Sequence, residues 1–339
     1  MFRFLKNNPL AAEARTARLR PTVGKQLLIF LGVMLVGEIV ASIPSSIYAV
    51  LCTLSLIDPE ALAGMLTDQN DELLTEEMNA ISAALMRDDG YILCMLFSMV
   101  GVILITVLYC RFVEKRSLSS MGLGVRAGAP RSLALGFLFG LLMFGAAFLI
   151  SYAMGAITVG QGSPAPGIMV LYFFAFFVQA ASEEILFRGY LMLSLCNATT
   201  PGRAVFISAL MFSLMHGGNA GYTILGAVNI FVFGLLLGLL VFRAQSLWMA
   251  IALHAMWNFA EGNIFGASVS GMMPSTSILV SLPVDGRNLT SGGVFGPEAG
   301  LAVSMVLLLA LVALWYFPSK ENPAPTDESI GSDIPTDPQ

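Results

Sequence analysis

The stretch that decides the fold runs from Ile168 to Tyr190 and reads IMVLYFFAFFVQAASEEILFRGY. A helix needs about 20 mostly apolar residues to cross the roughly 30 Å of hydrocarbon in a bilayer, and this stretch has that length. Within it lie Glu183, Glu184 and Arg188, although a charged side chain at the bilayer centre costs about 2.5–3.5 kcal/mol on insertion scales. The stretch therefore predicts a transmembrane helix whose polar side chains have a function inside the protein.

The whole chain has the composition of a membrane protein. Of its 339 residues, 56% are hydrophobic and only 12% are charged, whereas soluble domains carry about 25% charged residues. We predict an all-α fold, a polytopic membrane protein with a bundle of about eight transmembrane helices around a buried polar chamber. No alternating pattern of β-barrel strands competes with this fold. The predicted spans are residues 26–50, 91–112, 132–157, 168–190, 203–218, 222–242, 246–262 and 298–317.

Basic residues predict the orientation of this bundle. With the N-terminus inside and eight spans, all but two of the 17 Lys and Arg residues lie in inner segments, the exceptions being Arg87 and Arg287. Such an excess marks the cytoplasmic side of a membrane. We therefore predict a basic cytoplasmic segment over residues 1–25, a helical domain over 26–317, and a cytoplasmic tail over 318–339 that is disordered because it is rich in Pro, Ser and Asp. The outer segments are then residues 58–89 and 263–297.

The only two histidines of the chain lie in two further predicted helices. His216 ends the sequence FSLMH, and His254 opens the sequence HAMWN, which ends at Asn258. Residues four apart share one face of a helix, so Glu184 lies beside Arg188, and His254 lies beside Asn258. Lipid cannot solvate such polar faces, which therefore turn toward the bundle interior or a wet cavity. We expect them to meet at one site near the middle of the membrane.

This set of residues is suited to the activation of water. A carboxylate and two imidazoles around one point can do so as a general base or by holding a metal. Glu183 is turned by about 100° from Glu184, so Arg188 can fix Glu184 and leave Glu183 free as the base. The amide of Asn258 can donate to a developing oxyanion. The predicted catalytic residues are Glu183, Glu184, Arg188, His216, His254 and Asn258.

The same residues resemble a known family. The sequences EEILFR, FSLMH and HAMWN look like the motifs EExxxR, FxxxH and HxxxN of the CAAX-prenyl-protease and bacteriocin-processing family, also called Abi-type. The resemblance covers residues 165–262, with the motifs in order and each on its own predicted helix. It implies an intramembrane endopeptidase in which Glu183 activates water with His216 as its partner. By the same resemblance, His254 and Asn258 form the oxyanion or metal side.

The resemblance also bears on location and partners. It is to the bacterial branch of the family, so we expect a multi-pass protein of the bacterial plasma membrane with both termini in the cytoplasm. The partners it implies are the lipid bilayer and a membrane-associated protein or peptide as substrate. A prenylated C-terminal peptide, a bacteriocin leader and a segment of a membrane protein are all compatible with one water-activating site. No sequence feature points to nucleic acid.

The requirement for a metal stays open at the level of sequence. The family is described both as a metalloprotease and as a metal-independent glutamate protease. Glu183, His216 and His254 could form a zinc site with two histidines, one glutamate and water in the fourth position. The chain has no H-E-x-x-H, however, which is the usual way for a helix to present two zinc ligands, and we favour the absence of an obligatory metal.

Two other functions compete with proteolysis. Proton-coupled transporters also carry buried Glu and His side chains, but they usually show repeated halves and paired broken helices, which this sequence lacks. A non-catalytic immunity or scaffold protein of the same fold is the second alternative. Among single residues, Arg188 has a simpler interpretation as a basic anchor at the cytoplasmic end of its helix, and a lone histidine could merely join two helices by a hydrogen bond.

Overall fold

The computed structural model describes residues 2–56, 71–125 and 128–317 of the chain. The predicted disordered tail over residues 318–339 lies outside these described residues. The division into an N-terminal segment, a helical domain and a tail stays a prediction. Within the N-terminal segment a short helix is present, and the first long helix begins at Val23, three residues before the predicted span.

Most of the described chain is helical, as predicted, and a helix covers the position of each predicted span. Three of the described helices continue as π-helical segments, which cover Tyr109–Val113, Ile185–Met192 and Ala260–Ile264. The helices are α1 (Pro9–Ala14), α2 (Val23–Leu56), α3 (Asp71–Leu85), α4 (Asp89–Ser98), α5 (Val100–Leu108), α6 (Ala129–Ala153), α7 (Pro166–Glu184), α8 (Pro201–Met215), α9 (Ile224–Ala244), α10 (Trp248–Phe259), α11 (Asn288–Ser291) and α12 (Leu301–Tyr316).

Five helical segments in the described residues are long and apolar enough to cross a membrane. Three others, α8, α10 and α12, fall below the length that a full crossing needs, so the count of eight spans stays a prediction. The five long segments are Val23–Ser55, Asp89–Val113, Ala129–Ala153, Pro166–Leu195 and Ile224–Ala244.

A small antiparallel sheet departs from the all-helical expectation. Strand β1 (Ile157–Gln161) pairs with β2 (Leu279–Pro283), with Ile157 opposite Pro283. The predicted third span ran to residue 157, but α6 ends at Ala153 because Gly155 adopts a positive φ of 62°, a conformation that ends helices. The sheet ties the connection after α6 to the segment between α10 and α12. Strands of five residues are too short for an alternating pattern to stand out in the sequence.

The helix that carries His254 is fixed by very close packing against α6. A Cβ atom added at Gly136 would lie 2.5 Å from the backbone oxygen of Met249, and one added at Gly140 would lie 2.4 Å from that of Leu253. These two glycines are four residues apart and therefore form one face of α6. Small residues at this spacing let membrane helices approach closely enough to gain van der Waals contact. Here they bring the backbone of α6 against the turn of α10 that precedes His254.

The basic segments gather at one end of the bundle. The side chain of Asn8 donates to the carbonyl of Phe242 at 3.0 Å, and Arg15 donates to the carbonyl of Cys196 at 3.0 Å. The backbone N–H of Arg18 donates to Glu114 at 2.9 Å. The N-terminal segment is therefore bound to the loops that follow α5, α7 and α9. The sheet and the segment between α10 and α12 belong to the other end.

The glycine face of α6 leads to a first prediction. Gly140→Ala places a methyl group against backbone that cannot move aside, and overpacking of this kind costs about 1–3 kcal/mol. Gly145→Ala in the same helix is the matched control, because its added Cβ would meet only Phe265 at an ordinary 3.7 Å. We expect thermal unfolding in detergent to show a lower melting temperature for Gly140→Ala alone. Equal melting of the two variants would contradict this packing.

Candidate active site

The EEILFR sequence lies where a regular helix changes into a π-helix. Helix α7 is regular through Glu184, and a π-helix follows over Ile185–Met192. Such a change shifts backbone carbonyls away from their usual partners. Two of these carbonyls are bound by side chains, that of Phe187 by the hydroxyl of Ser208 at 2.8 Å and that of Gly189 by Arg116 at 3.2 Å. Neighbouring elements therefore hold this turn in a defined conformation, and π-helical turns are frequent at functional sites.

The carboxylate of Glu184 joins two helices at the centre of the bundle. Its Oε1 atom accepts a hydrogen bond from Arg188 at 2.8 Å, and it lies 3.1 Å from Nδ1 of His254. The side chains of Glu184 and Arg188 are fully buried. Since a carboxylate can only accept a hydrogen bond from the ring, Nδ1 of His254 carries the proton. Glu184 therefore fixes the orientation of His254 in addition to pairing with Arg188.

Arg188 lies in the interior and is not a basic anchor at the cytoplasmic end of its helix. Its guanidinium carbon lies 4.3 Å from the centre of the Phe212 ring, a cation–π contact. It also donates to the carbonyl of Gly234 at 3.3 Å. The simpler interpretation of Arg188 is therefore wrong. Phe212 contributes its ring to the support of Arg188, and His254 contacts Glu184, so residues from all three motifs meet around the Glu184–Arg188 pair.

Glu183 faces a different direction from Glu184, as the 100° rotation predicts. Its Oε1 accepts from the amide of Gln179 at 2.6 Å, while its Oε2 lies 3.7 Å from Nε2 of His254. Oε2 has no hydrogen-bond partner among the described residues. The side chain of Gln179 also accepts from Asn258 at 2.9 Å. Glu183 is thus held at one oxygen, and the other oxygen is free beside His254.

His216 lies at the end of helix α8, directly after Met215. Its Nδ1 atom is 2.8 Å from the carbonyl of Phe212, so Nδ1 is the donor and Nε2 is the nitrogen left for other partners. Asn258 likewise retains one N–H of its amide after its bond to Gln179. Both side chains therefore keep a polar atom for further interactions.

One cavity of about 1130 Å³ is bordered by Glu183, His216, His254 and Asn258. Its volume exceeds the roughly 300–1,000 Å³ of pockets for drug-sized molecules. The cavity reaches four of the six predicted site residues, and the other two, Glu184 and Arg188, lie behind its wall. Its polar lining residues include Gln179, Glu183, His216, Asn219, Asn229, His254, Asn258, Ser270 and Glu298.

Among the polar cavity residues that the sequence analysis missed are Gln179 and Glu298. Gln179 lies four residues before Glu183, and this spacing in an otherwise aromatic stretch was a signal that could have revealed it. Glu298 lies outside all three motifs and no spacing relates it to them. The catalytic roles of the six predicted residues stay predictions, although the structure brings all six into one region.

The possible metal ligands do not form a ligand group. Among residues 2–56, 71–125 and 128–317, no cluster of three or more His, Cys, Asp or Glu side chains is arranged to hold a metal ion. Zinc requires its ligands at about 2.0–2.2 Å from one point, and Glu183, His216 and His254 are not gathered around one point in this way. The absence of an obligatory metal stays a prediction.

Comparison with known proteins agrees with the motif region. The family model described as type II CAAX prenyl endopeptidase Rce1-like matches residues 165–260. These residues include all three motifs and the six candidate site residues. This region is therefore similar to the CAAX protease family. The family is one of proteases, which supports a hydrolase in general terms, and its match ends well before Glu298. No curated protein matches the chain.

The two adjacent glutamates lead to a second prediction. Glu184→Gln leaves Arg188 buried without its charge partner, and removing one member of a buried pair costs about 3–5 kcal/mol. Glu183→Gln is the matched control, because Glu183 has no basic partner other than His254 among the described residues and is partly exposed to the cavity. Chemical denaturation in detergent should show a large loss of stability for Glu184→Gln and a small one for Glu183→Gln. If the two variants unfold at the same denaturant concentration, Glu184 does not have this structural role.

Proposed function

We propose that the protein is an intramembrane endopeptidase that hydrolyses a peptide bond of a membrane-associated protein or peptide with water activated by Glu183. The observation that carries this proposal is the free Oε2 of Glu183, which lies beside a histidine that a second carboxylate orients. A carboxylate oxygen that has no hydrogen-bond partner and lies beside an oriented histidine is a suitable general base. Similarity to a protease family supports the same reaction class.

The first step is attack of water on the peptide carbonyl. The oxygen of water forms a bond to the carbonyl carbon, while one of its protons passes to Oε2 of Glu183. The amide of Gln179 donates to Oε1, which leaves Oε2 as the oxygen that takes the proton. The unprotonated Nε2 of His216 can accept the second O–H of the same water. Together the two side chains orient the water before it attacks.

The second step is collapse of the tetrahedral intermediate. Its oxyanion needs donors in a site shielded from water, and the remaining amide N–H of Asn258 is suited to this purpose. In its protonated form, His254 offers Nε2–H as a second donor, because Glu184 holds the other ring nitrogen. When the C–N bond breaks, the proton on Glu183 passes to the leaving nitrogen. The acid product then ionises.

Glu184 and Arg188 are positioning residues in this mechanism, since they lie behind the cavity wall. Their bond fixes the carboxylate that orients His254, in the way that the buried aspartate of a serine-protease triad orients its histidine. Because the described residues do not form a zinc-ligand cluster, no step of the mechanism is assigned to a metal.

The cavity also favours one side of the membrane for the substrate. Its lining includes Arg87, Asn219, Ala220 and the stretch 269–275, which belong to the end of the bundle away from the basic loops. If the basic loops are cytoplasmic, the cavity opens outward. We therefore propose a substrate that reaches the site from the outer face or from the bilayer. This makes a prenylated cytoplasmic tail a less suitable substrate than an exported or membrane-inserted peptide.

The proposed reaction leads to a third prediction. In cells that produce Glu183→Gln in place of the wild type, products of membrane-peptide cleavage should fall by about 10²–10⁴-fold, the usual contribution of a general base. Quantitative mass spectrometry of membrane peptides measures this change, with equal protein levels verified in the same samples. A peptide set that is identical in both cells would contradict the protease function and favour a scaffold or a transporter.

The orientation of the cavity leads to a fourth prediction. Asp285 lies in the exposed turn after β2, and Ser117 is exposed in the loop that follows α5. In a chain whose four native cysteines are replaced, Asp285→Cys should react with an impermeant thiol reagent applied to the outside of intact cells, and Ser117→Cys should not. The reverse labelling pattern would place the cavity mouth in the cytoplasm.

A further inference from the structure

Glu298 is a second carboxylate in the candidate active-site cavity, separate from the three motifs. It lies in a short 3-10 turn (Pro297–Ala299) directly before α12. It lines the same cavity as Glu183 and both histidines. The family match ends at residue 260, so neither the match nor the motif chemistry assigns a role to Glu298.

The chain holds this carboxylate in a fixed place. The hydroxyl of Ser270 donates a hydrogen bond to its Oε2 atom. The amide of Asn229 donates to the backbone oxygens of Glu298 and Gly300 at 2.8 and 3.0 Å, and Ser304 donates to the same Asn229 side chain at 2.7 Å. Gly296 permits the turn, because its φ is 110° and an added Cβ would lie 2.0 Å from the oxygen of Ser268. Glu298 is therefore placed at the cavity with little freedom to move.

The charge of Glu298 has no basic partner. In the described part of the chain no Lys, Arg or His nitrogen lies within 4 Å of its carboxylate. The cavity lining contains two carboxylates, those of Glu183 and Glu298, and one arginine, Arg87. The side chain of Arg87 is exposed at the mouth of the cavity. Glu298 also interacts electrostatically with Glu183 and both histidines. A partly buried carboxylate is usually paired with a positive charge. The carboxylate of Glu298 has one neutral hydrogen-bond donor, so its negative charge is incompletely compensated.

We infer that Glu298 forms a subsite for a cationic side chain, Lys or Arg, of the peptide substrate. This inference rests on the proposed protease function and adds a preference to it. A bound ammonium or guanidinium group would supply the missing partner of the Glu298 carboxylate and form charge-assisted hydrogen bonds. Because Glu183 and Glu298 border one cavity, the basic residue would lie at a fixed number of residues from the bond that is cleaved. Arg87 at the mouth would disfavour a second basic residue there.

The first experiment compares membrane-peptide cleavage in cells with the wild type, Glu183→Gln, Glu298→Gln and Glu298→Lys. We expect the products that depend on Glu183 to share a Lys or Arg at one distance from the cut, and to decrease in Glu298→Gln and more strongly in Glu298→Lys. Glu38→Gln is the matched control. Glu38 also interacts with Glu183, but it borders a smaller cavity, which Glu183 and His216 also line and Glu298 does not, so its loss should leave the preference unchanged.

The second experiment measures kcat and KM for a synthetic peptide that copies one such product sequence, with its basic residue kept or replaced by Gln. For the wild type the replacement should lower kcat/KM by about tenfold or more, the coupling expected of a close charge pair, mainly through a higher KM. For Glu298→Gln the two peptides should be cleaved alike. Glu298→Lys should cleave a peptide with Glu at that position better than one with Lys.

The outcomes separate the subsite from the protease function. Products that depend on Glu183 but have no shared basic residue would overturn the subsite and leave the protease function standing. So would equal loss of the preference in Glu38→Gln, which would indicate a general field effect. A Glu298→Gln variant that is inactive on every peptide, although folded, would assign Glu298 to the chemical step and also overturn the subsite. The absence of any product that depends on Glu183 would overturn the protease function and the subsite with it.

Discussion

The Oε1 atom of Glu184 is the point on which the rest of the site depends. It accepts from Arg188 within its own helix and from His254 on another helix. In a bilayer such a contact has no aqueous substitute, so a buried charge must find its partners within the protein. The Phe212 ring and the carbonyl of Gly234 also contact Arg188. One buried interaction therefore fixes the relative positions of α7, α8, α9 and α10.

This arrangement divides two adjacent carboxylates between support and chemistry. Each glutamate keeps one oxygen without a hydrogen-bond partner among the described residues, but Glu184 is fully buried and bound to Arg188, whereas Glu183 is partly exposed and lines the cavity. The π-helical turn that follows the two glutamates sets the rotation of α7 about its axis. The glycines of α6 set the distance between α6 and α10. The site is thus built from helix geometry and from packing, and the outer segment adds a further charge at Glu298.

The sequence was sufficient to predict side-chain contacts within one helix, but it was not sufficient to predict contacts between helices. Spacing predicted that Glu184 would pair with Arg188 and that Glu183 would face elsewhere, and both predictions are confirmed. It could not show that His254 contacts Glu184, because that contact depends on how far two helices are rotated about their axes. The basic-anchor interpretation of Arg188 failed for the same reason. The sheet and the position of Glu298 were not predicted, because both depend on contacts between distant parts of the chain. In the sheet, Ile157 pairs with Pro283, more than 100 residues away. Glu298 is bound by Asn229, about 70 residues away.

The central claim is that Glu184 holds His254 through Nδ1, and the chain offers a direct test because it contains only two histidines. Nitrogen-15 NMR of protein labelled in the histidine rings gives two sets of signals, which a His216→Gln variant assigns. The tautomer of each ring is then observed and no longer inferred from neighbouring acceptors. We predict that Nδ1 of His254 is protonated and that its signal shifts in Glu184→Gln. A His254 whose Nδ1 carries no proton in the wild type would contradict the account.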